Sequence, residues 1–389
     1  MNPAVIDRIN TGSNDESIEL TVDLPASGEV TAIVHPHRKK TKTLQRIRGW
    51  NGSLRQHVDS EVALVSRDGM MAGSIRKGRI VYEIKPGDNG SHHLLEIDSE
   101  ELPPDYHPIP VSKEQLDAAE QAAGRGGQPG STQTARDDGS VIDVLVVYTE
   151  TVKNANGGQS GIEASIDLAV ALANQALANS SIHTEFRLVH TAQVTYTEAA
   201  NSNTDLNRLQ NPGDSFMDGV HALRNQYNAD LVALIVENLG DACGIGYVMT
   251  PVSPDFEKFA FSVVQHSCIS SYTFAHEVGH NIGSMHDRQE GGRGAFPYSF
   301  GHKEPGKFRT IMAYPCPPPN LCTRINHYSN PHVQYQGSWA TGVDDNVDPA
   351  HSADNARGFN NALGTVARFR DSEIDTTAPD APANLHFVD

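Results

Sequence analysis

Four residues within one short stretch, His276, Glu277, His280 and His286, have the types and spacing to hold a metal ion and move a proton. Histidines four apart on a helix project from one face. Two imidazole nitrogens on one rigid element suit zinc, which takes histidine nitrogen at roughly 2.0 to 2.1 Å. Phe274, Val278 and Ile282 recur every four residues on the opposite side, so the predicted helix is amphipathic, with Ser270 or Ser271 to cap its start. Continued helix would rotate His286 by about 240° from His280. The chain must therefore turn first, and Gly283 is the residue that does so cheaply. Three protein ligands leave one coordination position for water, the arrangement of a catalytic rather than a structural zinc site. Glu277, next to the first ligand, is the predicted general base: it takes a proton from the water and passes it to a leaving amine.

The elements around this stretch alternate. VIDVLVVYT from Val141 is a near-continuous apolar strand, and a helical pattern follows from about Gly161 to Asn179. HTEFRLVHTAQVTYT reads as a strand, Ser215 to Gln226 as a helix, DLVALIVEN as a buried strand, and FAFSVVQH as a strand leading into the histidine helix. That order predicts an α/β (α+β) domain over 140–371. Before it, residues 18–98 alternate short β-rich runs with turn signals, a small all-β unit extended here to 18–110. Residues 111–139, ending in GRGGQPGSTQTARDDGS, have the composition of an exposed linker and activation segment. Residues 1–17 read as a disordered start and 372–389 as a Pro/Ala linker-like tail.

With 48 acidic against 30 basic residues and a net charge of −18, neither nucleic acid nor an anionic membrane is an expected partner. No apolar run approaches the roughly 18 residues of a membrane span. The opening MNPAVIDRINTGSNDES lacks the basic-then-apolar order of a secretory signal, so any export signal is absent from this chain or unusual. Cys243, Cys268, Cys316 and Cys322 form an even set with three pairings open. The short Cys316 to Cys322 spacing fits a local loop, which would leave Cys243 with Cys268 in an oxidising compartment; four free buried thiols are the competing reading. Asp344, Asp345 and Asp348 could bind calcium, although an acidic loop explains them without an ion.

HEVGHNIGSMH resembles the extended motif HExxHxxGxxH of the metzincin peptidases, with Asp287 following as in their reprolysin-like branch. TIMAYP matches the methionine turn of that family and makes Met312 the turn methionine. IDVLVVYT, CGIGYVM, AFSVVQHSC, TIMAYPCP and YSNP are similar to the bacterial peptidyl-Asp metalloendopeptidases over about residues 140 to 370. The resemblance implies a metzincin catalytic domain with a twisted mixed sheet and an active-site helix, one catalytic zinc, polypeptide substrates, and cleavage on the amino side of Asp. It implies a secreted or periplasmic bacterial monomer. It also implies that FAFSVVQH is the sheet edge on which an extended substrate adds as a strand, and that the chain around and after the methionine turn walls the pocket for the residue following the scissile bond. There Lys303, Lys307, Arg309 and Arg324 stand against Glu304 alone, and Arg309 or Arg324 is the candidate to grip a carboxylate with two prongs. Tyr314, two residues after Met312 as in astacins and serralysins, is a candidate to stabilise the oxyanion.

A β-rich module and a cleavable linker ahead of a protease domain suggest a zymogen with its own propeptide as partner. No cysteine precedes Cys243, so a cysteine cannot occupy the zinc from that side. Glu101, Asp105 and His107 in ELPPDYHPIP are the candidate latch, set against the plainer reading of solvated linker residues. Two other functions compete: a non-peptidase zinc hydrolase, opposed by the methionine turn and edge strand, and a catalytically weak binding module on the same fold, opposed by the intact Glu277 and three histidines.

Overall fold

The computed structural model describes residues 17–25, 27–36, 47–122 and 140–370. The expected start at 1–17, Ser17 apart, most of the linker and the tail at 372–389 lie outside the described residues.

Seven strands, β1 (Ile18–Leu24), β2 (Gly28–Pro36), β3 (Ile47–Leu54), β4 (His57–Arg67), β5 (Met70–Lys77), β6 (Ile80–Pro86) and β7 (His92–Asp98), pair in sequence order as an antiparallel meander. Their period-two alternation sorts side chains to two faces. On β4, Val62 and Leu64 join the sheet's own cluster with Leu20, Val34, Trp50 and Ile84, whereas Ala63 and Val65 belong to the large core of the following unit. The all-β unit is therefore packed onto its neighbour by a buried apolar face.

The second unit follows the alternation predicted for it. After β8 (Ile109–Pro110) and α1 (Lys113–Ala122) come β9 (Val141–Thr149), α2 (Glu150–Ala155), α3 (Gln159–Asn179), β10 (Glu185–Val194), α4 (Ser202–Gln210), α5 (Gly219–Gln226), β11 (Leu231–Val236), β12 (Gly244–Val248) and β13 (Phe261–Gln265). Then follow α6 (Thr273–Asn281), β14 (Met285–Asp287), β15 (Phe300–Gly301) and, near the end, α7 (Asn355–Val366). The sheet order is β10-β9-β11-β13-β12-β8. β10, β9, β11 and β13 are parallel, β12 runs antiparallel to β13, and β8 lies parallel to β12. Strands buried on both faces account for the unbroken apolar runs of β9 and β11. Helix α3 is buried along most of its length because it is covered both by its own sheet and by the all-β unit.

Several expectations change here. FAFSVVQH is not the sheet edge: β13 is interior, and β12 (GIGYV) lies outside it because the chain doubles back from Gly244 to Val248. β8 pairs with β12, so the last residues of the expected 18–110 unit lie on the second sheet rather than the first. Within the expected 111–139 linker, the polar helical stretch is α1, and Val111 and Leu116 are buried rather than exposed, with α1 packed near the turn Pro254–Phe259. Neither Ser270 nor Ser271 caps the histidine helix. Tyr272 does so in a left-handed conformation, φ 71°, with no side-chain cap, and both serines lie in a preceding 3₁₀ turn. The reason is tertiary: the Tyr272 hydroxyl donates to Glu61 and accepts from Arg76 Nε at 2.9 Å, both on the all-β unit.

Candidate active site

Helix α6 presents His276 and His280 on one side, while Phe274 and Val278 are buried in the core on the other. Asn281 fixes the helix to the sheet by donating to the carbonyls of Tyr247 at 2.8 Å and Phe261 at 3.2 Å. At Gly283 the chain takes φ 98° and leaves the helix. A Cβ there would meet Ala295 Cβ at 2.4 Å, so glycine is required on both conformational and steric grounds. The turn delivers His286 on β14, whose pairing with β15 holds it under the helix. The three Nε2 atoms lie 3.0, 3.0 and 3.1 Å apart.

Two of the three rings are oriented from behind. His276 Nδ1 donates to the Ile311 carbonyl at 2.8 Å, and His280 Nδ1 to the Ser284 carbonyl at 2.8 Å, which leaves their Nε2 lone pairs toward the common centre. Burial pushes all three imidazoles below their usual value, His280 to about 4, so the neutral, ligating form is favoured. Three imidazole nitrogens this close together would suit one small cation such as zinc, which takes histidine nitrogen at roughly 2.0 to 2.1 Å. Among the described residues this is the cluster able to hold a metal.

Glu277 is fully buried, and neither carboxylate oxygen has a hydrogen-bond partner. Burial first and the charge of Asp105 second raise it well above the usual carboxylate range. A partnerless buried carboxylate on the residue next to a converging histidine is costly unless it faces an ion or a reacting proton. The residues therefore fit a metal. Met312 lies under the helix, its Sδ so near Gly279 that a Cβ there would stand 2.9 Å away. Asp287 accepts from Lys303 Nζ at 2.9 Å and from the Tyr314 amide at 3.0 Å, tying the segment after His286 to the methionine turn. The Tyr314 ring lies 4.1 Å from that of His286.

The two candidate arginines separate. Arg324 is buried, donates through Nε to the Ile311 carbonyl at 3.1 Å and through Nη1 to the Ser271 carbonyl at 3.0 Å, and brings Nη2 to 2.9 Å from His276 Nδ1. Arg309 is equally buried but donates to the Ala313 carbonyl at 2.9 Å and faces Glu100 at 3.5 Å.

The three candidate latch residues also separate. Glu101 is exposed, with its amide on the Asp98 carbonyl, and takes no part in the cluster. His107 is exposed, its ring 5.1 Å from that of His286, outside the ligand set. Asp105 is buried but lies on the Nδ1 side of His276, at 3.6 Å, rather than at the Nε2 centre, because Arg324 Nη2 holds its Oδ2 at 2.7 Å. Of the proposed calcium carboxylates, Asp345 pairs with Arg357 and Asp348 with His351, each at 2.8 Å, while Asp344 accepts from the Asn346 amide. Cysteine pairs Cys243–Cys268 and Cys316–Cys322 are both disulfides. Gly244 and Thr273 were not singled out from the sequence. A Cβ on Gly244 would stand 2.6 Å from Glu277 Oε1, and the usable signal was a glycine inside a strand, which marks close approach of another group.

Residues 138–329 match the reprolysin-type model described as metallo-peptidase family M12, which sets the class of the protein as a metallopeptidase. The peptidyl-Asp metalloendopeptidase of Stenotrophomonas maltophilia is 35% identical over 321 residues, 80% of this chain and 71% of that protein. The peptidyl-Asp metalloendopeptidase of Xanthomonas campestris is 32% identical over 312 residues, 79% of this chain and 70% of that protein. Among solved structures, metalloproteinase-II from Bacteroides fragilis is similar at 13% identity over 72% of this chain and 85% of that chain, with TM-score 0.37. The chain belongs to the bacterial peptidyl-Asp metalloendopeptidase family, whose class is that of the zinc metalloendopeptidases.

Proposed function

We propose that the protein is a secreted zinc endopeptidase, made as a zymogen, that cleaves polypeptides on the amino side of aspartate. The observation that carries this reading is the convergence of three Nε2 atoms, 3.0 to 3.1 Å apart, beside the unpartnered carboxylate of Glu277. His276, His280 and His286 would hold the ion, and an all-nitrogen set of three with an open position suits zinc. Bound there, zinc would supply Lewis acidity and lower the pKa of a water toward roughly 7.

The chain's own residues do the rest. Glu277 accepts a proton from the attacking water and gives it to the leaving amine nitrogen, and its burial makes it a stronger base for that purpose. The Tyr314 hydroxyl donates to the oxyanion that develops on the attacked carbonyl. An extended peptide adds to β12, whose edge is where β8 now pairs. Arg324, buried beside the first histidine and bonded to a carboxylate in this structure, is the group suited to an aspartate side chain. The names of the relatives support that preference. The two disulfides suit export, and among the described residues no helix is long and apolar enough to cross a membrane. The all-β unit, docked on the catalytic unit, acts as the propeptide.

A peptide-library digest read by mass spectrometry, comparing the processed parent with Glu277→Gln, tests the reading. The parent should cut before Asp. The variant should retain one zinc by metal analysis and lose about 10²-fold to 10⁴-fold in rate, the range of general acid-base catalysis. Absence of stoichiometric zinc from the parent, or equal cleavage by both proteins, would overturn it.

A further inference from the structure

The segment Pro104–Pro110 lies along β12 as an added strand. The Cys243 amide donates to the Pro104 carbonyl at 2.9 Å, the Tyr106 amide donates to the Gly244 carbonyl at 2.8 Å, and Ile109 and Pro110 are in register with Tyr247 and Val248. Only one side chain of this strap is both charged and buried. Asp105 is 7% exposed; Arg324 Nη2 grips its Oδ2 at 2.7 Å and Thr273 Oγ1 donates to its Oδ1 at 2.9 Å. Each carboxylate oxygen has its own donor, the pairing expected of a pocket built for a carboxylate.

We infer that Arg324 and Thr273 together form the pocket that reads aspartate, and that Asp105 fills it as the chain's own stand-in for a substrate aspartate, so that the strap blocks the enzyme through its specificity pocket rather than by ligating the metal. This rests on the Asp-preferring reading above.

The direction of the strap explains why it stays uncut. In a substrate cleaved before Asp, the attacked carbonyl belongs to the residue preceding it. Here the carbonyl that receives the Tyr314 hydroxyl, at 2.8 Å, is Asp105's own. Pro104 leads away toward Cys243, and the chain after Asp105 runs toward His107, whose ring neighbours that of His286. The carbonyl of the Pro104–Asp105 bond is therefore not the one that meets the Tyr314 hydroxyl. Occupancy without cleavage follows from correct side-chain recognition in the wrong chain polarity.

The test uses the full, unprocessed chain. Asp105→Asn removes the charge but keeps the shape, and should cut a denatured Asp-containing protein about tenfold or more faster than the parent, with faster amide exchange over residues 104–110. A free peptide of residues 103–110 should bind this variant and inhibit it, and the same peptide with Asn in place of Asp should do neither at equal concentration. Thr273→Val, which leaves the Arg324 pair intact, guards against a misfolded Asp105 variant. It should raise KM for Asp substrates and not for Ala substrates while kcat holds, an effect a merely structural role would not produce. Cleavage before Asp with unchanged latency in Asp105→Asn, or equal inhibition by both peptides, overturns the inference. Selective binding of the Asp peptide without cleavage of any substrate would leave this pocket standing and sink the peptidase reading instead.

Discussion

Arg324 donates to three separate acceptors, the Ile311 carbonyl, the Ser271 carbonyl and the Asp105 carboxylate, and also brings Nη2 to 2.9 Å from His276 Nδ1. A planar guanidinium can donate to all three at once without leaving its plane, whereas a lysine ammonium is a point donor on a flexible stem. Arg324→Lys keeps the charge and should still lose about 10-fold to 100-fold in kcat/KM for substrates with Asp after the scissile bond, the worth of one to two charge-assisted bonds. Substrates with Ala there should lose far less. Parallel assays on the two substrates check it, and an unchanged Asp-to-Ala ratio would remove Arg324 from the specificity pocket. The sequence leaves Arg309 and Arg324 equivalent, because local charge excess places neither side chain. Their separation comes from which carbonyls lie within reach once β13 and the methionine turn are packed against α6.

At the scale of elements, the helix, the glycine turn and the short strand β14 act as one device. Helical periodicity brings two histidines together, and only an abrupt exit brings the third. Gly283→Ala would force φ 98° on an L side chain and press its Cβ against Ala295 at 2.4 Å and the Met249 carbonyl at 3.1 Å. The expected cost is about 2 to 4 kcal/mol of stability, the sum of a strained backbone and an overpacked contact. His286 should shift with it, so zinc affinity should fall together with the denaturant midpoint. Normal affinity in a merely less stable variant would mean that β14 holds His286 without help from the turn. The glycine was legible in the sequence because the phase of the third histidine demands it. The start of the helix was not, since Tyr272 is held left-handed by Glu61 and Arg76, residues roughly two hundred positions away.

For the whole molecule, the junction between the two units contains a buried carboxyl. Glu83 on β6 is 5% exposed, its Oε2 has no hydrogen-bond partner, and burial raises its pKa from 4.5 to about 7 against the opposing effects of Lys85 and Ser270. The folded state therefore binds this proton more tightly than the unfolded one. Its contribution is greatest below about pH 4.5 and is lost as pH rises through about 7, a swing on the order of 3 kcal/mol. Melting temperatures of the full chain and of Glu83→Gln, measured between pH 5 and 8, should converge at the acid end and diverge as the parent declines. Parallel pH profiles would show that Glu83 stays ionised in the junction.

The histidine helix, the convergence of its two histidines with His286 and the alternating α/β pattern were determined by the sequence alone, because period and spacing are local and the chain cannot evade them. The boundary of the all-β unit was only approximate, since nothing in ELPPDYHPIP says which sheet it will join. Only tertiary structure decided that β12 and not β13 flanks the strap, that Arg324 and not Arg309 faces the first histidine, and that Asp105 meets a guanidinium rather than the metal centre. Each of those is a contact between residues far apart in the chain, where free energy depends on packing geometry and shared burial that no local pattern encodes.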